Sequence, residues 1–407
     1  MTNPKLALIP SGYKGGTNPT VYSILPNDAT GDFDFDRASE GTRVRKDGLI
    51  EEVTNDVPRL DWSDGNCPSL LLEPQRTNLQ VRSEEFDNAS WGKSNSSIEN
   101  NSIISPNGEL SADKLIANTV NTSHYVQGTV SGLSTSSEAT FSVFVKKAEI
   151  SQLQLLCAQN SSPFTNWGRL QFDLDTLSEF SSNIGTFGYE DYGNGWLRVF
   201  VTGTPTSTGA LIRVTLYKNF SNAFIGNDID GLYLFGAQVE QGNYPTSYIK
   251  TEASTVTRLK DECLNGGDSD LFDITEGTFF VDSYVYNSGN STEITLSDGS
   301  VSNRIVLIFQ NYGTQVRVFS SGGVDSFLNL TFDQRNKIAV TFKENEYKFY
   351  INGSLVGSDT SATVPSGMDR LNFSNNTNVS NHFEGKVYDT RVYDRVLTEA
   401  EAIELTT

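Results

Sequence analysis

From Ala139 onward the sequence is dominated by short runs in which apolar and polar residues alternate, separated by clusters of Gly, Asn and Ser. Ala139–Lys146 sets Phe141, Val143 and Val145 against Thr140, Ser142 and Lys146. A period of two marks a strand with one buried face, because successive side chains point to opposite sides of a sheet. Gln152–Ala158, Gly168–Leu174, Gly195–Thr202, Leu211–Tyr217 and Gly231–Glu240 read the same way. So do Thr278–Tyr286, Arg304–Gln310, Gln315–Ser320, Lys337–Lys343 and Tyr347–Ile351. No amphipathic helical pattern intervenes, so sheets must bury one another, and the chain is expected to be all-β with two β-sandwich (jelly-roll) domains. Asn352-Gly353 predicts a two-residue hairpin turn, since both residues tolerate positive φ.

A chain of 407 residues is too long for one ordinary core, and a 37% hydrophobic and 11% aromatic content supplies several. The formal charge of −20 disfavours nucleic-acid binding and adhesion to an anionic membrane, both of which need a basic surface. No run approaches membrane-spanning length. Leu6–Ile9 is apolar but Pro10 ends it well short of a signal-peptide core, so synthesis in a cytoplasm is expected. Cys67, Cys157 and Cys263 cannot pair completely and have no neighbours at metal-ligand spacing, which predicts buried, reduced thiols.

The first part of the chain is more broken. Lys5–Ile9, Thr20–Leu25 and Asp32–Asp36 are short strand-like pieces with Gly- and Pro-rich breaks between them. SGYKGG lacks the Gly-Lys-Ser/Thr ending of a phosphate loop. GDFDFDRASEGTR fails as a calcium loop, with Arg37 where the turn needs glycine and Arg43 where the bidentate glutamate belongs. Alternation there puts Asp32, Asp34 and Asp36 on one face and Phe33 and Phe35 on the other, with Arg37, Arg43 and Arg45 as charge partners. Residues 1–76 are too short and too interrupted to bury a core, and are expected to be an extended attachment segment.

Within them, Leu60–Leu79 (LDWSDGNCPSLLLEPQRTNL) is stiffened by Pro68 and Pro74, and its Leu70–Leu72 run lies between the charged residues Arg59, Glu73 and Arg76. It reads as a joint holding a buried leucine plug. Thr251–Gly267, poor in large apolar residues, reads as a second linker. The expected division is residues 1–76, 77–257 and 258–407.

The run IEEVTNDVPRLDWSDGNCPSLLLEPQRTNL resembles a segment of phage virion fibre and spike proteins. TNLQVRSEEFDNASW, SPNGELSADKL, GNGWLRV and LYLFGAQVEQGNYPTSYIKT resemble the carbohydrate-binding jelly rolls of phage fibres. IAVTFKENEYKFYINGSLVG and FEGKVYDTRVYDRVLTEAEAIEL resemble the concanavalin A-like (laminin G-like) lectin sandwich. Gly385, Val387, Asp389, Arg391, Val392, Tyr393, Arg395, Leu397, Thr398 and Glu401 carry that last match, and Thr398 with Glu401 predicts a capped terminal helix.

These resemblances imply a non-enzymatic head or tail fibre on the virion surface, usually a homotrimer. It would contact capsid or tail proteins through residues 1–76 and host-surface glycans through its sandwiches. A glycan-degrading tailspike and a spacer without a receptor remain alternatives.

His124 and His382 lie in different sandwiches with no nucleophile motif beside them, and adjacent Glu190 and Asp191 would point to opposite faces of a strand. In the resembling binding modules, the corner that Glu84, Glu85, Asp228 and Asp230 would occupy holds a structural calcium; solvated loop carboxylates are the competing reading. For glycan contact the candidates are Asn311, Tyr312, Asn375, Asn376 and Asn378 in loops, and Trp196 with Arg198 on one strand face. Trp167 is expected to share a face with Arg169 and Gln171.

Overall fold

The computed structural model describes residues 3–12, 20–65, 67–161, 165–181, 183–272, 274–286, 289, 291–311, 313–331, 333–375 and 381–407. The chain divides into two compact units. The first comprises residues 1–40, 53–75 and 259–407, and the second residues 41–52 and 76–258. Residues 1–76, expected as a separate extended anchor, are instead distributed between the two.

Each unit is a β-sandwich. In the first, the larger sheet runs Ser354–Asp359, Glu346–Ile351, Asn336–Lys343, Glu276–Val285, Gly385–Tyr393, Ser69–Leu72, Arg59–Asp61. Facing it are Asp325–Asn329, Gln315–Ser320, Arg304–Gln310, Thr292–Ser297 and Arg370–Asn372. Asn352 and Gly353 take φ of +47° and +77°, as the hairpin requires.

The edge of Gly385–Tyr393 is shared by two strands from far upstream. Leu6–Leu8 pairs with Thr390–Val392, and Leu70–Leu72 with Gly385–Val387. A Cβ on Gly385 would lie 2.1 Å from the Tyr284 carbonyl oxygen, which explains the glycine that opens this strand. Leu6, Leu8, Phe33, Phe35, Leu70 and Leu72 join Phe279, Ile294, Leu307 and Val340 in one core. The leucine run is therefore a strand of the sandwich and not a plug in a joint. Short pieces with few apolar residues each looked coreless because the core they complete is built mainly by residues beyond 270.

Thr251–Gly267 is likewise no free linker. Val256–Arg258 pairs with Arg76–Asn78, and Glu262–Leu264 pairs with Phe33–Asp36. Its burial is polar, which an apolar count overlooks: Asp261 is 2% exposed. Arg37 Nη1 donates to Asp261 Oδ1 at 3.1 Å, Arg59 Nη1 donates to Glu73 Oε2 at 2.6 Å, and Arg59 Nη2 also reaches Asp261. Glu73 N donates to Asp261 Oδ2 at 2.8 Å. Two guanidinium and two carboxylate groups thus sit inside the first unit as a neutral cluster.

As expected, Phe33 and Phe35 face inward and Asp34 and Asp36 outward. The charge partners differ: Arg37 goes to Asp261, Arg43 to Glu51 and Arg45 to Asp47, while Asp32 accepts from Ser23. Cys157 and Cys263 are buried thiols, but Cys67 is exposed. The helix Glu399–Thr406 carries the expected capping box of Thr398 and Glu401. Glu401 also binds Arg395 at 2.7 and 2.9 Å, and Arg391 binds Asp389, so several residues of the terminal motif hold one another in place.

The second unit stacks two six-stranded sheets. One runs Ser96–Ile104, Leu110–Ala117, Gly231–Gln241, Ala139–Lys147, Trp196–Gly203, Thr186–Asp191. The other runs Ser178–Glu179, Asn166–Asp173, Gln152–Gln159, Gly209–Tyr217, Tyr125–Ser131, Gly92–Ser94. Phe141, Val143, Leu153, Leu155, Val199 and Val214 fill the space between them.

Removing one member of a buried ion cluster leaves an uncompensated charge, at a cost of about 3–5 kcal/mol. Asp261→Ala, which leaves two guanidinium groups with the single carboxylate of Glu73, is expected to destabilise the first unit by roughly that amount. Urea denaturation followed by a probe in the Glu276–Val285 region checks it; an unshifted midpoint would refute the role given to the cluster.

Candidate functional site

Trp196 and Arg198 do not form a sugar platform. Trp196 packs with Ile50, Phe144, Phe235 and Tyr248, and its indole N–H donates to the Ile104 carbonyl at 3.2 Å. Arg198 is 1% exposed and donates to Thr246 O at 2.6 Å and Ser142 Oγ at 3.0 Å. The outer face of their sheet is covered by chain outside its strands, Ile50 and Tyr248 included. Strand alternation alone gives no sign of such a cover.

The expected calcium ligands are not brought together. Glu84 accepts from the Tyr248 hydroxyl and pairs with Lys250 at 3.0 Å, while Glu85 pairs with Arg82. Asp230 binds Lys218 and Asn227, and Asp228 occupies a turn at φ +60°. Among the described residues, no group of three or more His, Cys, Asp or Glu could hold a metal ion. His124 is packed, its ring nitrogens 2.6 and 2.8 Å from the Asn95 and Phe224 carbonyl oxygens.

In the first unit, Asn311 occupies a turn at φ +52° and donates to Gln315 Oε1 at 3.0 Å. Asn375 reaches the Glu293 carboxylate at 3.4 Å, and Asn381 reaches it at 2.9 Å. Tyr312, Asn376 and Asn378 lie outside the described residues.

A more elaborate polar array lies on the outer face of the sheet that contains Gln152–Gln159, with Gln152, Gln171, Asp173, Thr215 and Tyr217 buried within it and Arg213, Gln127 and Tyr125 half-buried. Cross-strand registers stack its outward side chains in three rungs. The first is Arg169, Leu156, Arg213, Gln127. The second is Gln171, Gln154, Thr215, Tyr125, and the third Asp173, Gln152, Tyr217. Sequence alternation predicts Arg169 and Gln171 on one face, but Trp167 turns into the core instead. A bulge between Cys157 and Ala158 shifts the register beside it.

The rungs are knitted together. Gln171 and Gln154 both donate to the Tyr217 hydroxyl, at 2.7 and 3.2 Å. Gln152 donates to Asp173 at 2.8 Å. Arg213 donates through Nε and Nη2 to Gln127 Oε1, at 3.2 and 2.9 Å, and lies over the Tyr125 ring at 3.9 Å. Burial lowers the pKa of Arg213 and raises that of Tyr217. At the rim, Phe180 packs beside Tyr217 and edge-on to Phe220, with ring centroids 5.6 and 5.3 Å away. Phe220 is 64% exposed and held at φ +62°, an uncommon conformation for a bulky side chain.

A carboxylate that the sequence did not single out, Asp113, is buried in the other sheet of this unit. Its two oxygens accept from Phe86 N and Asn101 N, both at 2.9 Å. Burial outweighs these bonds and pushes its pKa up to about 6.

Residues 270–402 match the family model described as the concanavalin A-like lectin/glucanases superfamily. The sandwich built by those residues is accordingly lectin-like and concanavalin A-like in fold. No curated protein matches the chain in sequence.

Three solved structures illustrate the wider likeness. The Ruminococcus gnavus IT-sialidase CBM40 bound to α2,3-sialyllactose is 18% identical, with 35% of this chain and 94% of that one covered and a TM-score of 0.29. Domain 4 of AbnA, a GH43 extracellular arabinanase from Geobacillus stearothermophilus in complex with arabinotriose, is 17% identical, with coverages of 40% and 83% and a TM-score of 0.31. Domains LG4-5 of the mouse laminin α1 chain are 11% identical, with coverages of 69% and 90% and a TM-score of 0.25.

Asp113 has a folded-state pKa above its unfolded value, so the folded second unit binds a proton more tightly than the unfolded chain does. Its contribution to stability is fully present below the unfolded pKa near 4 and is lost as pH rises through about 6. In Asp113→Asn this increment should vanish. Melting curves of wild type and variant between pH 4 and 7 are expected to show a difference that changes with pH through that window; a constant difference would refute the assignment.

Proposed function

We propose that this protein is a non-enzymatic glycan adhesin, carried on the surface of a phage particle as a head or tail fibre and assembled as a homotrimer after synthesis in the host cytoplasm. The observation that carries the glycan reading is the lectin-like sandwich of residues 270–402, matched by a lectin and glucanase family model. The rungs of amide, hydroxyl and aromatic groups on the second unit support it, because sugars are held by hydrogen-bonding side chains beside flat rings. The virion setting rests on the fibre-like sequence block around Cys67–Leu79. Contact with capsid or tail proteins through residues 1–76 would be made from strands built into folded units, not from an extended arm. Several copies on one particle would turn weak single-site contacts into firm attachment by raising the effective concentration.

The purified full-length protein is expected to bind host cells, to lose that binding when surface glycans are stripped, and to leave the glycan intact. Cell-binding assays and reducing-sugar measurements check this. Release of reducing sugar would show a glycan-degrading spike, and absence of binding across several host strains would overturn the adhesin reading.

A further inference from the structure

We propose that the outer face of the Gln152–Tyr217 region in the second unit binds an acidic oligosaccharide, with the Arg213 guanidinium taking a sugar carboxylate and the Phe180–Phe220 rings taking the apolar face of a sugar ring. This rests on the glycan-binding reading and narrows it to a ligand class.

Arg213 is the anomaly that points there. The chain has 50 acidic and 30 basic side chains, so a carboxylate is the easiest partner for an arginine to find. Three buried arginines find one: Arg37 and Arg59 share Asp261, and Arg198 lies 3.7 Å from Glu190. Arg213 is half-buried, yet among the described residues it meets only the Gln127 amide oxygen and the Tyr125 ring. Two of the five N–H donors of its guanidinium are used, leaving three without an acceptor among the described residues. Partial burial of an unneutralised charge is costly unless an anion arrives to pair with it. A planar carboxylate matches the guanidinium fork and can accept two parallel hydrogen bonds. The one carboxylate on the three rungs, Asp173, is two rungs away and accepts from Gln152.

The rest of the face suits a sugar rather than a bare anion. The Tyr217 hydroxyl accepts from two amides, so its own proton has no acceptor among the described residues, although the side chain is only 7% exposed. Thr215 lies between Arg213 and Tyr217 on the same side of the strand. Same-side neighbours are about 6.6 Å apart, so charged anchor and aromatic rim are separated by about 13 Å. That span exceeds a small inorganic ion and fits an oligosaccharide. At the rim, Phe220 presents an exposed ring beside Phe180, as a stacking surface needs.

Calorimetric titration of the full chain with sialyllactose against lactose, and with trigalacturonate against its methyl ester, tests the proposal. At least one acidic sugar should bind roughly tenfold or more tightly than its neutral counterpart. Arg213→Gln should abolish that preference and Arg213→Lys, which keeps the charge but not the fork, should restore part of it. Phe220→Ala should weaken the acidic and neutral sugars alike, and melting temperatures confirm that the variants fold. Equal affinity for acidic and neutral sugars, or a preference that survives Arg213→Gln, would overturn the acidic-sugar assignment while leaving glycan binding intact. Acetate or inorganic phosphate binding at Arg213 as tightly as the sugars would reduce the face to an anion site. No binding of any of these four saccharides would overturn the site proposed on this face, while the adhesin reading stands or falls on host-cell binding.

Discussion

The buried cluster of Arg37, Arg59, Glu73 and Asp261 is the constraint on which the first unit depends. Four separate stretches of chain meet in it, and none can leave without stranding a charge away from water. Burial works against the charge on Arg59, but Asp261 and Glu73 outweigh it and hold its pKa above the ordinary value. Arg37 adds bonds to the carbonyl oxygens of Ser39, Thr54 and Val57, so the same side chain also fixes a backbone with little regular structure. Apolar packing could hold these stretches near the core in several registers. The geometry of two guanidinium forks around one carboxylate selects a single arrangement.

Fold class and strand positions were legible in the sequence because alternation is a local signal. The alternating runs Arg304–Gln310 and Gln315–Ser320 coincide with the strands to the residue, and the capping box of Thr398 and Glu401 is visible as a motif. The membership of each sandwich was not legible. Leu6–Leu8 and Leu70–Leu72 carry no mark of their partner at Gly385–Tyr393, because pairing over such separations is decided by the assembled core. Asp261 carries no visible mark of its burial for a related reason. A segment that is buried through charge pairing resembles an exposed linker in composition.

The same contrast holds for the candidate sites. Arg169 and Gln171 could be placed on one face from their spacing, but Arg213 and Gln127 become neighbours only through the pairing of Tyr125–Ser131 with Gly209–Tyr217. Trp196 and Arg198 looked equally suited to a ligand until chain from outside the strands covered them. The two outer faces of the second unit are therefore unlike: one is packed with apolar and aromatic side chains around Phe144, and the other carries rungs of hydrogen-bonded polar side chains.

The shared edge of Gly385–Tyr393 also orders events in time. Leu72 and its partner Gly385 are separated by 313 positions, the difference of their numbers. On a ribosome, the second unit can emerge whole and begin to fold while Leu6–Leu8 and Ser69–Leu72 still await their partner strand. During that interval the first unit's leucine-rich strands are unpaired templates for association with a neighbouring nascent chain. Closure of the first unit waits for Gly385–Tyr393 to emerge, and the rate of translation between residue 258 and that strand sets how long those edges stay open.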